Sequence, residues 1–131
     1  MAVQKNLIQQ NRKNIFAHLW GQTGDSSTIL LTDLVSSDET TSGALKVNIA
    51  TAWINVPDNG TSGIIVRRGN SSGTVVLDMH GQSEYPGQNH FPALALDNTS
   101  SVFVYWQVTG LVVLELHKVG GYVEPLTNVG V

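Results

Sequence analysis

Cysteine is absent from the sequence, which excludes disulfide bonds, thiolate metal sites and a cysteine nucleophile. Charged residues make up 13% of the 131 residues, against about 25% in typical soluble domains. The net charge of −3 lacks the basic balance of a general nucleic-acid binder. No apolar run approaches the roughly 20 residues of a membrane-spanning helix, and the N-terminus lacks the apolar centre of a signal peptide. We therefore expect a soluble protein made without an export signal.

Sequence patterns that carry common enzyme chemistry are also missing. The stretch Gly-Asn-Ser-Ser-Gly at residues 69–73 only approximates the Gly-x-Ser-x-Gly of a serine hydrolase, and it lies in a predicted hairpin. Phosphate-binding loops and dinucleotide fingerprints are absent. Asp38 and Glu39 lie in the Ser/Thr-rich segment VSSDETTSG, where nothing apolar would raise a carboxyl pKa, so we interpret them as solvated loop charges. The sequence predicts no enzymatic activity.

Histidines are the first candidates for a metal site. His80 and His90 flank a polar segment with Asp78 and Glu84 close by, and three such ligands could in principle hold zinc. The sequence has neither a His-x-His pair, as in metal-binding cupins, nor a helical His-x-x-x-His pair. We therefore expect no metal and no cofactor, and interpret these histidines as loop residues with local hydrogen bonds.

From Ile15 onward the pattern indicates an all-β fold. Short runs of Val, Ile, Leu and aromatic residues alternate with clusters of Gly, Ser, Asn and Asp, which is typical of an antiparallel β-sandwich or barrel. Hairpins are predicted at residues 69–73 and at 108–111, and a surface loop at 80–92. Strands are expected at 15–20, 28–34, 44–56, 63–68, 73–79, 101–108 and 111–118, with further candidates at 93–96 and 121–124.

Residues 1–14 are predicted to form a short N-terminal arm ahead of a single β-sandwich domain over 15–131. The arm has basic residues and no acidic one, and its few apolar residues are too sparse to found a helix. Contact with a partner would therefore order it. The residues expected to make this contact are Lys5, Leu7, Ile8, Arg12 and Lys13.

Two predicted strands are apolar on both faces. The alternation places Val102, Val104, Trp106 and Val108 on one face of the first strand and Phe103 and Tyr105 on the other. In the run ALKVNIATAWINV, it places Leu45, Val47, Ile49 and Trp53 on one face and Ala50, Ala52, Ile54 and Val56 on the other. Exposed apolar strand faces are an aggregation hazard, so a partner is expected to cover them. We predict a homo-oligomer, a trimer, with an interface that includes Ala50, Ala52 and Ile54 or Phe103 and Tyr105.

In its order of features the sequence resembles the cement, or decoration, proteins of tailed-bacteriophage capsids. The likeness extends over the arm, GALKVNIATAWINV, GIIVRRGNSSGTVVLDM, HGQSEYPGQNHFP and VFVYWQVTGLVVLELHK. The resemblance implies a small, jelly-roll-like virion protein, often a trimer, on the outer surface of the capsid. There it would bind the major capsid protein and tie neighbouring subunits together. Neither nucleic acid nor a membrane is an expected partner.

Two other functions stay open. A carbohydrate-binding or host-adhesion module of a phage fibre or secreted assembly would present aromatic residues in polar loops, and Tyr85, Phe91 and Tyr122 qualify. Its tryptophans could also stack on sugars, but all three lie in apolar runs, so we expect them in the core: Trp20, Trp53 and Trp106. The other is a small jelly-roll enzyme, which would need metal ligands that the sequence lacks.

Overall fold

The structure is a computed structural model that describes residues 3–9, 13–37, 39–56, 63–79, 82–86 and 97–123. Within these ranges it contains nine β-strands and one turn of 3₁₀ helix, Leu31–Leu34. The strands are β1 (Gln4–Gln9), β2 (Asn14–Gly21), β3 (Ser26–Ile29), β4 (Thr40–Asn55), β5 (Ile64–Arg68), β6 (Thr74–Met79), β7 (Gln82–Pro86), β8 (Val102–Trp106) and β9 (Gly110–Val123). No helix in the described ranges is long and apolar enough to cross a membrane.

The strands form two antiparallel sheets, which confirms the predicted all-β sandwich. One sheet has the order β1-β2-β9-β4-β7 and the other the order β3-β8-β5-β6. Alternate residues of both sheets point inward and form one apolar cluster. Its fully buried members include Leu19, Val47, Ile49, Leu114 and Leu116 from the five-stranded sheet and Ile29, Ile64, Val66, Val104 and Trp106 from the four-stranded sheet. Each such side chain contributes about 1.5–3 kcal/mol relative to exposure to water.

Strand β8 has the predicted alternation. Val102, Val104 and Trp106 are fully buried, while Phe103 and Tyr105 lie on the outer face. The Trp106 indole N–H donates to the Gly110 carbonyl at 3.0 Å, which satisfies its polar group in the core. Gly21 must lack a side chain, because a Cβ there would lie 2.6 Å from the Trp106 ring.

The prediction that Ala52 and Ile54 form an outward face is wrong, because they lie in the core with exposed fractions of 0% and 5%. The cause is a bulge in β4. Ile49 pairs with Leu116 and Thr51 pairs with Glu115, so β4 has one residue more than β9 between these pairs. The extra residue is Ala50, which is half-buried, and beyond it the alternation changes phase.

The segment predicted as an N-terminal arm is instead largely an edge strand. Residues Gln4–Gln9 form β1, which pairs with β2 over its whole length. Leu7 packs against the core, and Ile8 lies outside, 49% exposed. Lys5 faces the sandwich edge and donates from Nζ to the Thr28 carbonyl of the opposite sheet at 3.3 Å. Such an inward lysine at an edge discourages strand pairing with other chains.

Three further expectations about elements are corrected. The predicted strand at 28–34 ends early, because Asp33 accepts the Leu30 N–H at 3.0 Å and the chain turns into the 3₁₀ helix. The predicted loop 80–92 contains β7, an edge strand on which Pro86 is the last residue, where a missing N–H is tolerated. The segment 108–111 is not a hairpin, because β8 and β9 belong to different sheets.

The hairpin between β5 and β6 is confirmed. Gly69 has a φ of 107°, and the Asn70 side chain accepts the Ser72 N–H at 2.9 Å, as expected of a turn built on Gly and Asn. The strand candidate at 121–124 is the end of β9 as far as Val123. The candidate at 93–96 lies outside the described residues.

Candidate functional site

One end of the core is ionic rather than apolar. Arg68 ends the inward series of β5 and Lys118 continues the inward series of β9, and both are buried. The Arg68 guanidinium donates to three backbone carbonyls, those of Val47 at 2.8 Å, Asn98 at 3.2 Å and Ser100 at 2.6 Å. Arg68 thus ties the four-stranded sheet to β4 of the other sheet and to the turn before β8. Burial lowers its pKa to about 10, against the opposing influence of Asp97 and Tyr122, so it stays charged at neutral pH.

Lys118 forms a buried ion pair with Glu39. Its Nζ lies 2.6 Å from Oε1 of Glu39, and each side chain is only 2% exposed. The interpretation of Glu39 as a solvated loop charge is therefore wrong. The same carboxylate oxygen accepts the Ser36 N–H at 2.8 Å, so the loop folds back on itself and holds the carboxylate over the core. Asp38 lies outside the described residues.

Tyr122 completes this ionic cluster. Its ring lies 4.8 Å from Lys118 Nζ, within the range of a cation–π contact, and its hydroxyl donates to the Leu31 carbonyl at 2.6 Å. Burial, with Glu39 nearby, raises the pKa of Tyr122 to about 12, although Arg68 acts the other way. Burial alone would raise the pKa of Glu39, but hydrogen bonds from Lys118 and Ser36 hold it below its ordinary value.

A surface cavity of about 390 Å³ adjoins the ionic cluster. It is lined by Lys13, Glu39, Lys118, Val119, Gly120, Tyr122 and Val123. Because the pKa of Glu39 is low and Lys118 neutralises its charge, the carboxylate cannot act as an acid near neutral pH. The arrangement holds β9, the 3₁₀ helix and the loop before β4 together. Sequence alternation could have indicated that both cations are buried. Arg68 follows residues 64 and 66 on the inward face of β5, and Lys118 follows residues 112, 114 and 116 on the inward face of β9.

The outer face of the four-stranded sheet has an apolar patch, which we call the Phe103 face and define as Phe103, Tyr105 and Ile65. Tyr105 is 37% exposed, and the other two are partly exposed. They are neighbours across the strands, since Tyr105 pairs with Ile65 and Phe103 pairs with Arg67. Their inward neighbours are buried, so the sheet holds these side chains on the outside.

The outer face of the five-stranded sheet has an aromatic surface, which we call the Trp53 face and define as Phe16, Trp20 and Trp53. The ring centroids of Phe16 and Trp53 are 6.1 Å apart, with planes tilted by 34°. Trp20 and Trp53 are only partly buried, so their predicted core position is wrong, whereas that of Trp106 is confirmed. The β4 bulge is the reason for Trp53, because it turns Trp53 outward as it turns Ala52 inward.

The structure separates the other residues predicted as sites. Phe103 and Tyr105 lie on an outer face, and Ala50 is half-buried at the bulge, but the role of all three in an interface stays a prediction. Lys5, Leu7 and Ile8 lie in β1, and Lys13 lines the cavity. Arg12, His80, His90 and Phe91 lie outside the described residues. Among the residues that are described, no group of three or more His, Cys, Asp or Glu side chains could hold a metal ion.

A search of protein-family models, of curated proteins and of solved structures gives no match to this chain.

Proposed function

We propose that the protein is a non-enzymatic virion protein, a cement protein that binds the outer surface of a tailed-phage capsid and ties neighbouring capsid subunits together. The observation that carries this proposal is the Phe103 face, an outward aromatic and aliphatic patch on a sheet whose other face already fills the core. An apolar patch on a rigid sheet is the kind of surface that protein partners bury, and aromatic residues dominate such contacts.

A closed trimer requires two different apolar surfaces on each subunit, because a head-to-tail ring joins one patch to another. The Phe103 face is the first. The second is a groove of about 320 Å³ lined by Leu30, Leu31, Thr32, Ala44, Leu45, Thr99 and Ser101, in which Leu30 is 48% exposed. In the proposed trimer, the Phe103 face of one subunit packs against the Leu30 groove of the next.

The contact with the major capsid protein is assigned to β1. This strand lies at the edge of the five-stranded sheet and presents Ile8, 49% exposed, on its outer side. Lys13 lies beyond it at the mouth of the cavity. The predicted capsid contact therefore becomes a rigid strand edge instead of a flexible arm, which lowers the entropy lost on binding.

Co-sedimentation tests the capsid part of this proposal. The purified protein is mixed with capsids of the tailed phage that carries the gene and centrifuged through a density gradient. We expect stoichiometric co-sedimentation, and we expect Ile8→Asp to weaken it by about tenfold or more while the subunit mass is unchanged. Ser71→Asp, an exposed change in the turn between β5 and β6, is a control for added charge. Failure of the unmodified protein to sediment with capsids would contradict the proposal.

A further inference from the structure

We infer that the Trp53 face is a binding platform for a neutral oligosaccharide, whose sugar rings stack on Phe16, Trp53 and Trp20. This inference does not rest on the proposed capsid function, although the two sites adjoin, because Ile8 of β1 pairs with Phe16 on the same outer face. The ligand class follows from the geometry of the rings, the polar groups between them and the charge of the face.

The backbone that carries the rings is held by the core without a ligand. Residues on each side of Phe16 and Trp53 are buried, among them Ala17, Ala52 and Ile54, so the backbone under both rings is part of the core. The two rings contact each other across β9, with centroids 6.1 Å apart. Phe16 and Trp20 are four residues apart on β2, which corresponds to roughly 13 Å along a strand. This span suits several linked sugar rings better than a single one.

Polar side chains lie between and around the rings. His18 occupies the outward position between Phe16 and Trp20 and is exposed. At one end of the face, His117 and Asn14 share a hydrogen bond of 2.5 Å, and Asn98 donates to Asn48 at 2.9 Å. A pyranose ring presents C–H groups on its faces and hydroxyl groups around its edge. The C–H groups suit the negative face of an aromatic ring, and the hydroxyl groups suit imidazole and amide partners.

The charge of the face favours a neutral ligand. In the described outward positions of β1, of β2, of β4 from Asn48 to Asn55 and of β9 from Leu111 to His117, Glu115 is the only carboxylate, and no Lys or Arg is present. On β7, Glu84 pairs with Trp53 and adds a second acidic residue beside the face. A phosphate or sulfate polymer would find no cation there. A second copy of the chain suits this surface less well, because the core of a subunit interface is depleted of charged residues, whereas here Glu115 pairs with Phe16.

Affinity electrophoresis tests the inference, with soluble neutral polysaccharides in the gel: hydroxyethyl cellulose, xylan, galactomannan, laminarin and dextran. Alginate and heparin serve as anionic probes. We expect retardation by at least one neutral polymer, unaffected by salt. Fluorescence titration with the matching hexasaccharide should then show a shift in tryptophan emission, because two of the three tryptophans lie on this face.

Variants assign the site. Trp53→Ala and Phe16→Ala should each weaken binding by about tenfold or more, whereas Trp53→Phe should keep most of it because a ring remains. Val75→Ala, a change of an exposed apolar residue on the other sheet, should leave sugar binding unchanged.

Light scattering on the same variants separates this inference from the proposed function. The subunit mass should be the same for Trp53→Ala as for the unmodified protein. The inference is overturned by no binding to any neutral polymer, by binding to the anionic polymers only, by equal binding of Trp53→Ala, or by a change in subunit mass in Trp53→Ala. The capsid contact is tested separately by co-sedimentation of Trp53→Ala with capsids, which should equal that of the unmodified protein because Ile8 is kept.

Discussion

At the scale of single residues, Arg68 and Lys118 occupy positions where the strand alternation calls for an apolar side chain. Burying a cation is costly unless the charge is paired or hydrogen-bonded. Arg68 meets this condition with backbone carbonyls, and Lys118 meets it with Glu39 and the face of Tyr122. The stability of the protein therefore depends on these partners, and the loss of one of them should lower the free energy of unfolding strongly.

The first prediction concerns the contribution of the ion pair between Lys118 and Glu39 to stability. Glu39→Gln should lower the free energy of unfolding by about 3–5 kcal/mol, because Lys118 would stay buried without a counter-charge. In the double variant Glu39→Gln/Lys118→Met, most of this loss should be recovered, since the introduced amide oxygen can still accept the Ser36 N–H and no charge is buried. Urea unfolding of the three proteins measures both values. A double variant less stable than Glu39→Gln alone would contradict this account of the pair.

Low pH should destabilise the protein through protonation of Glu39. The pKa of Glu39 is lower in the folded protein than its ordinary value of 4.5, so its contribution to stability is complete above pH 4.5 and is lost as the pH falls through the folded pKa. The free energy of unfolding should therefore decrease below pH 4.5 by more in the unmodified protein than in Glu39→Gln. Parallel pH dependences in urea unfolding would show that the pKa of Glu39 is the same in the folded and unfolded states.

Tyr122 makes a prediction at the opposite end of the pH scale. Its pKa is about 12 in the folded protein and 10 in the unfolded chain, so its protonated form favours folding. That stability is present below pH 10 and is lost as the pH rises from 10 towards 12. Tyr122→Phe should cost about 1 kcal/mol at neutral pH, through the hydrogen bond to Leu31, and should lose less stability than the unmodified protein between pH 9 and 11. Unfolding by urea at pH 7, 9 and 11 provides the comparison.

At the scale of elements, the sequence predicts strands well where the period of two is unbroken. β2, β5, β6 and β8 fall where the alternation places them, and the Gly-Asn turn between β5 and β6 is correct. The alternation fails at Ala50, because a bulge depends on the pairing with β9 and leaves no local signal. β1 and β7 were missed for a related reason, since an edge strand needs few apolar residues and its order comes from its neighbour.

The candidate surfaces were predictable to a similar degree. The outward position of Phe103 and Tyr105 follows from alternation alone. The Trp53 face does not, because it depends on the bulge and on the arrangement of β2, β9 and β4 as neighbours. The ion pair joins residues that are 79 positions apart in the chain. The sequence around Glu39 or Lys118 therefore does not indicate which residue is its partner.

The prediction at this scale concerns the effect of removing β1 on stability and aggregation. A variant that lacks residues 2–9 would expose the edge of β2 and the core surface under Val3 and Leu7. We expect its free energy of unfolding to fall by about 2 kcal/mol or more and its tendency to aggregate to rise. Leu7→Ala should reproduce part of the loss of stability, whereas Asn6→Ala, an exposed change in the same strand, should not. Full stability of the truncated protein in thermal unfolding would mean that β1 contributes little to the fold.

At the scale of the whole molecule, the sandwich distributes its apolar residues over three layers: the core, the Phe103 face and the Trp53 face. Only 13% of the residues are charged, so there is little charge repulsion between molecules to prevent these two apolar faces from associating. The partners that cover the faces therefore determine whether the protein assembles or aggregates. Our account assigns the Phe103 face and the Leu30 groove to neighbouring subunits, β1 to the capsid and the Trp53 face to a neutral glycan.

Size-exclusion chromatography with light scattering, at micromolar concentration, tests the central claim of subunit assembly most directly. The account predicts a mass three times that of the 14.1 kDa chain. Phe103→Asp and Leu30→Asp should each reduce it to the mass of one chain, because each removes one side of the same contact. A face-to-face dimer would be disrupted by Phe103→Asp only and would contradict the trimer. A single-chain mass for the unmodified protein would contradict the claim that the Phe103 face is a subunit interface.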